Sequence, residues 1–267
     1  MVPVVEVLRS LSFFYIAYGH MGEIALIGGD ALGLILVYVY VGVMVVITDR
    51  WRFLRDHSFH RKFIHVMIGN IALFWWVFDT NYVMSLLAAV PFIPLLYIFS
   101  KYGGRREKDD SKLIGELKGS ILSTASHDGH KLGLVYYAIS WALLAFFAFN
   151  DLVVASVAIV CMAYGDGLGG QFGKTFGKRK IHGNKTLEGT LAVFVFAALA
   201  IFLIINFYNL LFTEGLYGTR SIPLAISALT ALGLGAFVSV VELYTPGEYD
   251  NLVIPLSTAL IMFLAGI

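Results

Sequence analysis

Long apolar stretches alternate with polar segments along this chain. Eight stretches are apolar enough to cross a membrane, which takes about 20 residues in a helix. They lack the polar–apolar alternation of barrel strands, and lipid leaves unpaired backbone groups without partners, so helices are expected. The chain is therefore predicted to be an all-α polytopic membrane protein, forming a single transmembrane domain over residues 1–267. The eight predicted spans are residues 31–48, 63–79, 82–99, 133–149, 151–170, 188–211, 221–241 and 252–267.

The polar segments between these spans are unequal. Three connections are short and nearly uncharged, whereas four are long and polar. With eight spans, the four long segments fall on the same side of the membrane, and together they hold 17 of the 19 Lys and Arg residues. The positive-inside rule places them in the cytoplasm and both termini outside. The four segments are residues 49–62, 100–132, 171–187 and 242–251.

Composition supports a membrane protein and narrows its partners. Hydrophobic residues make up 58% of the chain and charged residues 14%, against about 25% charged in a typical soluble domain. The net charge of +1 gives no indication of nucleic-acid binding. Residues 1–30 precede the first predicted span, and their apolar part, residues 4–18, is expected to lie in the interface or to be partly embedded. The sequence does not indicate an oligomeric state.

A glycine-rich, basic segment joins the fifth and sixth predicted spans. It runs from Tyr164 to Gly189 and holds eight glycines, with lysines that include Lys174 and Lys185. Glycines let backbone N–H groups approach an anion, and lysines neutralise its charge. Asp166 suits a Mg²⁺ ligand, because Mg²⁺ takes few carboxylates together with substrate phosphates. Glu188 is a second candidate, and the combination predicts phosphoryl transfer from a nucleotide.

The same segment is also compatible with a purely structural role. The glycines could permit close helix packing, with Asp166 paired to a lysine. Gly165, Gly167 and Gly170 match a dinucleotide-binding pattern, but a membrane helix precedes them rather than a strand. Gly173-Lys174-Thr175 resembles the end of a P-loop, yet that loop needs a glycine where Leu168 stands. Neither soluble nucleotide-binding fold is therefore supported.

Two further polar clusters adjoin predicted spans. Arg61 and His65 are four residues apart at the start of the second span and share a helix face. Arginine suits bidentate phosphate contact, and histidine can orient a phosphate or move a proton. The segment 242–251 has no cation and is predicted to bind metal or act as a base, or else simply to cap the last helix. Its polar residues are Glu242, Glu248, Asp250 and Asn251.

These motifs, taken in order, resemble the polyprenol kinase family, which includes phytol kinase, dolichol kinase and CTP-dependent diacylglycerol kinase. The resemblance covers residue 60 to the C-terminus. It rests on Arg61-Lys62-x-x-His65, Gly165-Asp166, Phe176-Gly-Lys178, Lys185-Thr-Leu-Glu-Gly189, Glu242 and Asp250-Asn-Leu-x-x-Pro255.

The resemblance implies a CTP-dependent kinase that phosphorylates the hydroxyl of an isoprenoid alcohol drawn from the bilayer, with Mg²⁺ as cofactor. It assigns nucleotide or phosphate binding to Arg61, Lys62, Gly165, Gly167, Gly169, Gly173, Lys174, Lys178, Lys185, Thr186 and Asn251. The expected metal ligands are Asp166, Glu188, Asp250 and Glu242. The expected catalytic residues are Asp166, His65, Asp250 and Glu188.

Alternative functions remain open on the sequence. The family is also similar to phosphatidate cytidylyltransferases, which would release pyrophosphate from CTP rather than CDP. A diacylglycerol kinase of the same family is a further possibility. An anion transporter is the alternative outside enzymes, but such a protein is expected to show inverted repeats and charges near the membrane midplane.

Overall fold

The structure is a computed structural model that describes residues 26–50, 59–102, 132–218 and 220–267. Within these ranges the chain is almost entirely helical. Its helices are α1 (Leu26–Arg50), α2 (Phe59–Gly69), α3 (Phe92–Tyr102), α4 (Gly133–Phe147), α5 (Leu152–Tyr164), α6 (Gly170–Phe176), α7 (Leu187–Thr213), α8 (Leu224–Tyr244) and α9 (Asp250–Ala265). A short antiparallel hairpin joins α6 to α7 and is formed by β1 (Lys180–His182) and β2 (Lys185–Thr186).

Irregular helical turns interrupt or extend several of these helices. The α2 helix continues as a 3₁₀ helix over Asn70–Val77, and a π-helical turn over Val83–Ala89 precedes α3. A second π-helical turn, Gly165–Gly169, joins α5 to α6, and a 3₁₀ turn, Gly247–Tyr249, precedes α9.

The predicted spans correspond one for one to apolar helical segments. Five are long enough to cross a membrane: Gly28–Thr48, Leu152–Phe176, Leu187–Thr213, Leu224–Tyr244 and Gly247–Ala265. Three more are apolar but shorter: Lys62–Val77, Val83–Ile98 and Gly133–Phe147. The all-α membrane fold is thus confirmed. The N-terminal segment before Leu26 and the basic segments 51–58 and 103–131 lie outside the described residues.

The boundary of the fifth span differs from the prediction. The span was expected to end at residue 170, with a loop from 171 to 187, but the helix continues through the π turn and α6 to Phe176. The hairpin then occupies part of the remaining segment. Asp166 therefore lies inside a continuous helix and not at its end.

The helix Leu152–Phe176 forms the centre of the bundle. In its most apolar stretch 83% of the residues are buried, against 17% to 39% in the other four long helices. Its α5 part contacts α2, α4, α7 and α9. Alanines such as Ala155 and Ala158 are fully buried there, because small side chains let neighbouring helices approach closely.

Two aspartates fasten the end of the bundle opposite the glycine-rich turn. Asp30 on α1 accepts hydrogen bonds from the backbone N–H groups of Asp79 and Thr80, each at 3.0 Å, and from the Thr80 hydroxyl at 2.8 Å. Asp79 in turn accepts from the N–H of Gly29 at 3.1 Å. Because the donors are mostly backbone N–H groups, these carboxylates join α1 to the 78–80 turn and act structurally.

Close packing at the π turn generates a stability prediction. A Cβ at Gly169 would lie 2.6 Å from the backbone N and Cα of Val193 on α7, whereas a Cβ at Gly233 on α8 would meet nothing within 4 Å. Gly169→Ala should therefore lower the free energy of unfolding by about 1–3 kcal/mol. Gly233→Ala should raise it by about 0.5–1 kcal/mol, because alanine loses less entropy in a helix. Thermal unfolding in detergent measures both, and equal unfolding temperatures would contradict the packing.

Candidate functional site

The π turn Gly165–Gly169 places a buried carboxylate within the central helix. Asp166 is 6% exposed, and its Oδ2 accepts a hydrogen bond from Lys62 Nζ at 2.6 Å. The same ammonium donates to the Asp166 backbone carbonyl at 3.2 Å. Single π turns in helices occur frequently at functional sites. Lys62 therefore neutralises the carboxylate and also binds a carbonyl of the turn that carries it.

His65 completes this cluster from the next turn of α2. Its Nε2 lies 3.6 Å from Asp166 Oδ2, and its ring packs edge-on against Tyr137 of α4 with centroids 4.9 Å apart. The approach of α2 requires Gly167, where a Cβ would lie 2.4 Å from a methyl carbon of Val66. The predicted motif Lys62-x-x-His65 therefore meets Asp166 across a close helix contact.

A polar network next to the N-terminal end of the π turn holds α1, α2 and α5 together. Tyr164, two residues before Asp166, donates its hydroxyl proton to Asn70 Oδ1. The Asn70 amide donates to Tyr40 Oη at 3.2 Å, and Tyr40 donates to the carbonyl of Met67 at 2.8 Å. These bonds satisfy polar groups inside the bundle, where an unpaired group would be costly, and they position the start of the π turn.

A second ion pair ties the hairpin to α8. Lys185 Nζ lies 2.6 Å from Glu242 Oε1 and also donates to the Glu242 backbone carbonyl. Glu242 is buried at the end of α8. The acidic segment 242–251, which has no cation of its own, thus receives one from the basic segment 171–187.

These groups line one polar pocket with a volume of about 640 Å³. Its walls come from α2, the π turn with α6, the hairpin, the start of α7 and the α8–α9 connection. The pocket brings together most of the predicted site residues: Lys62, His65, Asp166, Gly169, Gly173, Lys174, Lys185, Thr186, Glu242, Asp250 and Asn251.

The N-termini of two long helices also face the pocket. At α7, the Thr186 hydroxyl caps the helix by accepting from the N–H of Gly189 at 3.2 Å. At α9, Asp250 is buried, and its Oδ1 accepts from the N–H of Asn251 at 2.8 Å. Helix N-termini carry partial positive charge and favour anions. The pocket therefore offers dipoles as well as lysines to an anionic ligand.

Asn251 fixes the start of α9 against α4. Its Nδ2 donates to the carbonyl of Gly133 at 2.9 Å, and its own carbonyl accepts from Ser140 Oγ at 2.7 Å. Its Oδ1 is buried and has no hydrogen-bond partner in the described part of the chain. The side chain therefore fixes the start of α9, the helix that carries Asp250, against α4.

The predicted residues Glu188 and Lys178 lie away from the pocket. Glu188 does not line it, because its Oε2 accepts from the N–H groups of Lys178 and Arg179 at 2.9 and 3.1 Å and so holds the turn after α6. Lys178 is exposed and also lies outside the pocket lining. Arg61 belongs to α2, but its side chain is outside the described residues.

The glycines divide into two groups. Gly165 and Gly167 do not line the pocket, and the N–H of Gly165 bonds to carbonyls of α5 within the helix. Their expected role in phosphate binding is therefore not supported by their position, and close helix packing accounts for them. Gly169 and Gly173 line the pocket, although Gly173 also packs against Gly189, where its Cβ would lie 2.8 Å from a Cα.

Some residues of the pocket carried no sequence signal. His182 and Asn184 come from the hairpin, and Tyr244 and Thr245 come from the end of α8. The Gly183-Asn184 pair is a turn signal that marks the hairpin, but it does not indicate which part of the bundle the hairpin packs against. Glu248 was grouped with the acidic candidates, yet its Oε2 accepts from the N–H of Leu132 at 2.6 Å and caps the start of α4.

The carboxylates of the pocket suit the expected Mg²⁺ in part. Asp166 and Asp250 are two buried carboxylates of one pocket, and Asp250 lies within electrostatic range of Asp166, Lys62 and Lys185. Among the described residues no group of three His, Cys, Asp or Glu side chains could hold a metal. Mg²⁺ nevertheless suits such a site, since it takes one or two carboxylates plus water and substrate phosphates. Glu188 does not fit the set.

The arrangement defines a membrane-embedded helical protein with a polar, phosphate-compatible pocket at one end of its bundle. Comparison with known proteins is consistent with this class. Phytol kinase from Synechocystis sp. is 27% identical over 208 residues, which cover 75% of this chain and 76% of that protein. Probable chloroplastic phytol kinases from Triticum aestivum and Zea mays are 26% and 25% identical, and each match covers 85% of this chain and 73% or 72% of the relative.

No protein-family model matches the chain, and no solved structure gives a significant match. The similarity to phytol kinases supports assignment of the chain to the polyprenol and phytol kinase family. The motif resemblance in the sequence pointed to the same family.

The Lys185–Glu242 pair generates a second stability prediction. Lys185→Met leaves the buried Glu242 carboxylate without its cation and should lower stability by about 1–3 kcal/mol. The double variant Lys185→Met/Glu242→Gln removes both charges and should recover most of that loss. Thermal unfolding of the two single variants and the double variant measures the coupling. Simple additivity of the two single losses would show that the pair does not interact.

Proposed function

We propose that this protein is a CTP-dependent kinase that phosphorylates the hydroxyl of an isoprenoid alcohol, such as phytol, geranylgeraniol or a longer polyprenol. The observation that carries the proposal is the pocket in which Asp166, Lys62, His65 and Lys185 converge at the end of an apolar helix bundle. Phosphoryl transfer depends on positioning and on charge neutralisation. A pocket of lysines, carboxylates and helix N-termini supplies both.

Charge balance suggests how the nucleotide binds. Lys62 and Lys185 are each bonded to a buried carboxylate, so the pocket is largely self-neutralised. Asp166 and Asp250 would hold Mg²⁺, which spreads the charge of the β- and γ-phosphates. Lys62, Lys174 and Lys185 would then face the phosphate oxygens, and the N-terminus of α7 would add its dipole.

The acceptor chemistry falls to His65. The hydroxyl oxygen of the alcohol forms a bond to the γ-phosphorus while the bond from that phosphorus to the bridging oxygen breaks, which leaves CDP. His65 would orient the hydroxyl and take its proton, with Asp166 Oδ2 at 3.6 Å to stabilise the imidazolium that forms. Similarity to phytol kinases supports the class of acceptor, and the motif resemblance supports CTP as donor.

We further propose that all eight apolar segments cross the membrane, with the pocket on the cytoplasmic side and both termini outside. The basic residues of the sequence support this orientation. The three shorter helices are included in this proposal. Local 3₁₀ or π turns and contacts with neighbouring helices can satisfy the backbone groups that a short helix leaves unpaired within the membrane.

A labelled-phosphate assay tests the function. Purified protein is incubated with Mg²⁺, with CTP or ATP labelled at the γ-phosphate, and with phytol, geranylgeraniol, long polyprenols or diacylglycerol. Label should move from CTP to an isoprenoid alcohol, with release of CDP. Release of pyrophosphate from CTP with a lipid phosphate would indicate a cytidylyltransferase instead. Absence of any labelled lipid, together with nucleotide-independent anion uptake in proteoliposomes, would indicate a transporter.

The Asp166→Asn variant tests the mechanism in the same assay. The amide can still accept a hydrogen bond from Lys62, but the charge needed for Mg²⁺ is lost and the Lys62 ammonium loses its counter-charge. We expect kcat per folded protein to fall at least about 10²-fold, and stability to fall by about 1–3 kcal/mol, as for loss of the Lys185–Glu242 pair. Glu214→Gln, at the end of α7 far from the pocket, is the matched carboxylate control and should retain full activity. Near-normal turnover of Asp166→Asn would remove Asp166 from the mechanism.

Single cysteines test the orientation. The native Cys161 is fully buried and free, so it gives little background with a membrane-impermeant maleimide. Thr175→Cys on α6 and Glu214→Cys lie at exposed positions at opposite ends of the bundle. In sealed vesicles, Thr175→Cys should react from the cytoplasmic face and Glu214→Cys from the other. Reaction of both from one face would overturn the proposed topology.

A further inference from the structure

An apolar groove opens beside the polar pocket, between the end of α8 and the start of α9. Its volume is about 570 Å³, which is in the range of sites that bind small ligands. Among the described residues, no charged side chain lines it. Its lining consists of Val240, Val241, Tyr244, Thr245, Pro246, Tyr249 and Val253.

The groove and the polar pocket share a wall. Tyr244, Thr245 and Pro246 line both of them. This connection between α8 and α9 is therefore a place where a polar cavity with phosphate-compatible groups meets an apolar surface directly. One molecule with a polar head and an apolar chain could occupy both, with its head among the lysines and its chain against the valines.

The groove also opens outward from the bundle. Val240 is 52% exposed, Tyr244 64% and Val253 41%. Each belongs to a helix that is long and apolar enough to cross a membrane, so in the proposed topology these outward side chains lie against lipid. An apolar ligand can therefore enter the groove sideways from the lipid without passing through water.

We propose that this groove binds the hydroxyl-proximal isoprene units of the lipid alcohol. The hydroxyl is thereby directed past the α8–α9 connection into the polar pocket. The inference rests on the proposed kinase function and specifies where the acceptor chain lies. The groove does not suit the nucleotide, because the described residues that line it include no cation to neutralise phosphate. Branched isoprene units suit it, because they can bury apolar surface against the valines and the two tyrosine rings and have no polar groups that need partners.

Cysteine protection tests the groove without reference to catalysis. Val253→Cys places a thiol in the groove, at the fourth residue of α9. Leu191→Cys places one at the fifth residue of α7, where the wild-type leucine is 55% exposed and lines neither cavity. In detergent-solubilised full-length protein, geranylgeraniol at ten times its Kd should slow maleimide labelling of Val253→Cys about tenfold. Labelling of Leu191→Cys should be unchanged.

Kinetics provide the second measurement. Val253→Trp fills the groove and should raise the KM for geranylgeraniol about tenfold, since two displaced methylenes cost about that much affinity. The KM for CTP should not change, because the nucleotide lies in the polar pocket and not in the groove. Leu191→Trp is the control and should leave all these parameters unaltered.

The outcomes separate this inference from the proposed function. Protection of Val253→Cys in a protein that transfers no phosphate would support the groove and reject the kinase. Kinase activity without protection, or equal protection of Leu191→Cys, would reject the groove and leave the kinase intact. A higher KM for CTP in Val253→Trp would place the nucleotide there instead. Failure of Val253→Cys to react even without alcohol would show that the groove is already filled, and would overturn the proposal.

Discussion

The ion pair between Lys62 and Asp166 is the interaction on which the site depends. A carboxylate inside a bundle of apolar helices loses its hydration, and a cation held at 2.6 Å offsets that cost. To bring the lysine there, the start of α2 must touch the central helix, which Gly167 permits. The same approach carries His65 to Asp166. The position of the ionised Asp166 thus determines where α2 can pack on the central helix. That packing in turn assembles the pocket.

A second set of contacts closes the pocket from segments distant in sequence. Lys185 joins the hairpin to the end of α8, and Asn251 joins the start of α9 to α4. Neither contact is local, since the bonded groups are 57 and 118 residues apart. The pocket is therefore a product of the complete helix bundle, and its lining is stable only when α7, α8 and α9 are docked together.

Much of this architecture could be predicted from the sequence, because lipid allows few alternatives to helices. Each predicted span has a helical counterpart, and the motif residues Lys62, His65, Asp166 and Lys185 converge as expected. The predicted end of the central helix was wrong because glycines usually terminate helices, whereas here they allow helices to approach closely. Helix continuation under such packing is a tertiary effect that local propensity does not reveal.

Single carboxylates were harder to assign than clusters. Glu188 stands among lysines in the sequence, but its carboxylate satisfies two backbone N–H groups of the preceding turn. Glu248 likewise caps α4 from more than a hundred residues away. A carboxylate near cations and glycines has several partners available, and only the folded backbone decides between them. The pocket residues Tyr244 and Thr245 belong to no motif, so the sequence offered nothing to select them.

The π turn in the central helix has a geometric consequence. A π turn accommodates one residue more than an α-helical turn, so residues after Gly169 are rotated by about 100° relative to an uninterrupted helix. The α5 side chains are directed to the apolar interior. The rotation turns the corresponding face of α6 toward the pocket, where Gly173 and Lys174 line the wall. One helix thereby presents an apolar surface along one part and a polar one along the next, without a break in its axis. Loss of a single residue from this turn would restore the uninterrupted phase and rotate the polar surface away from the pocket.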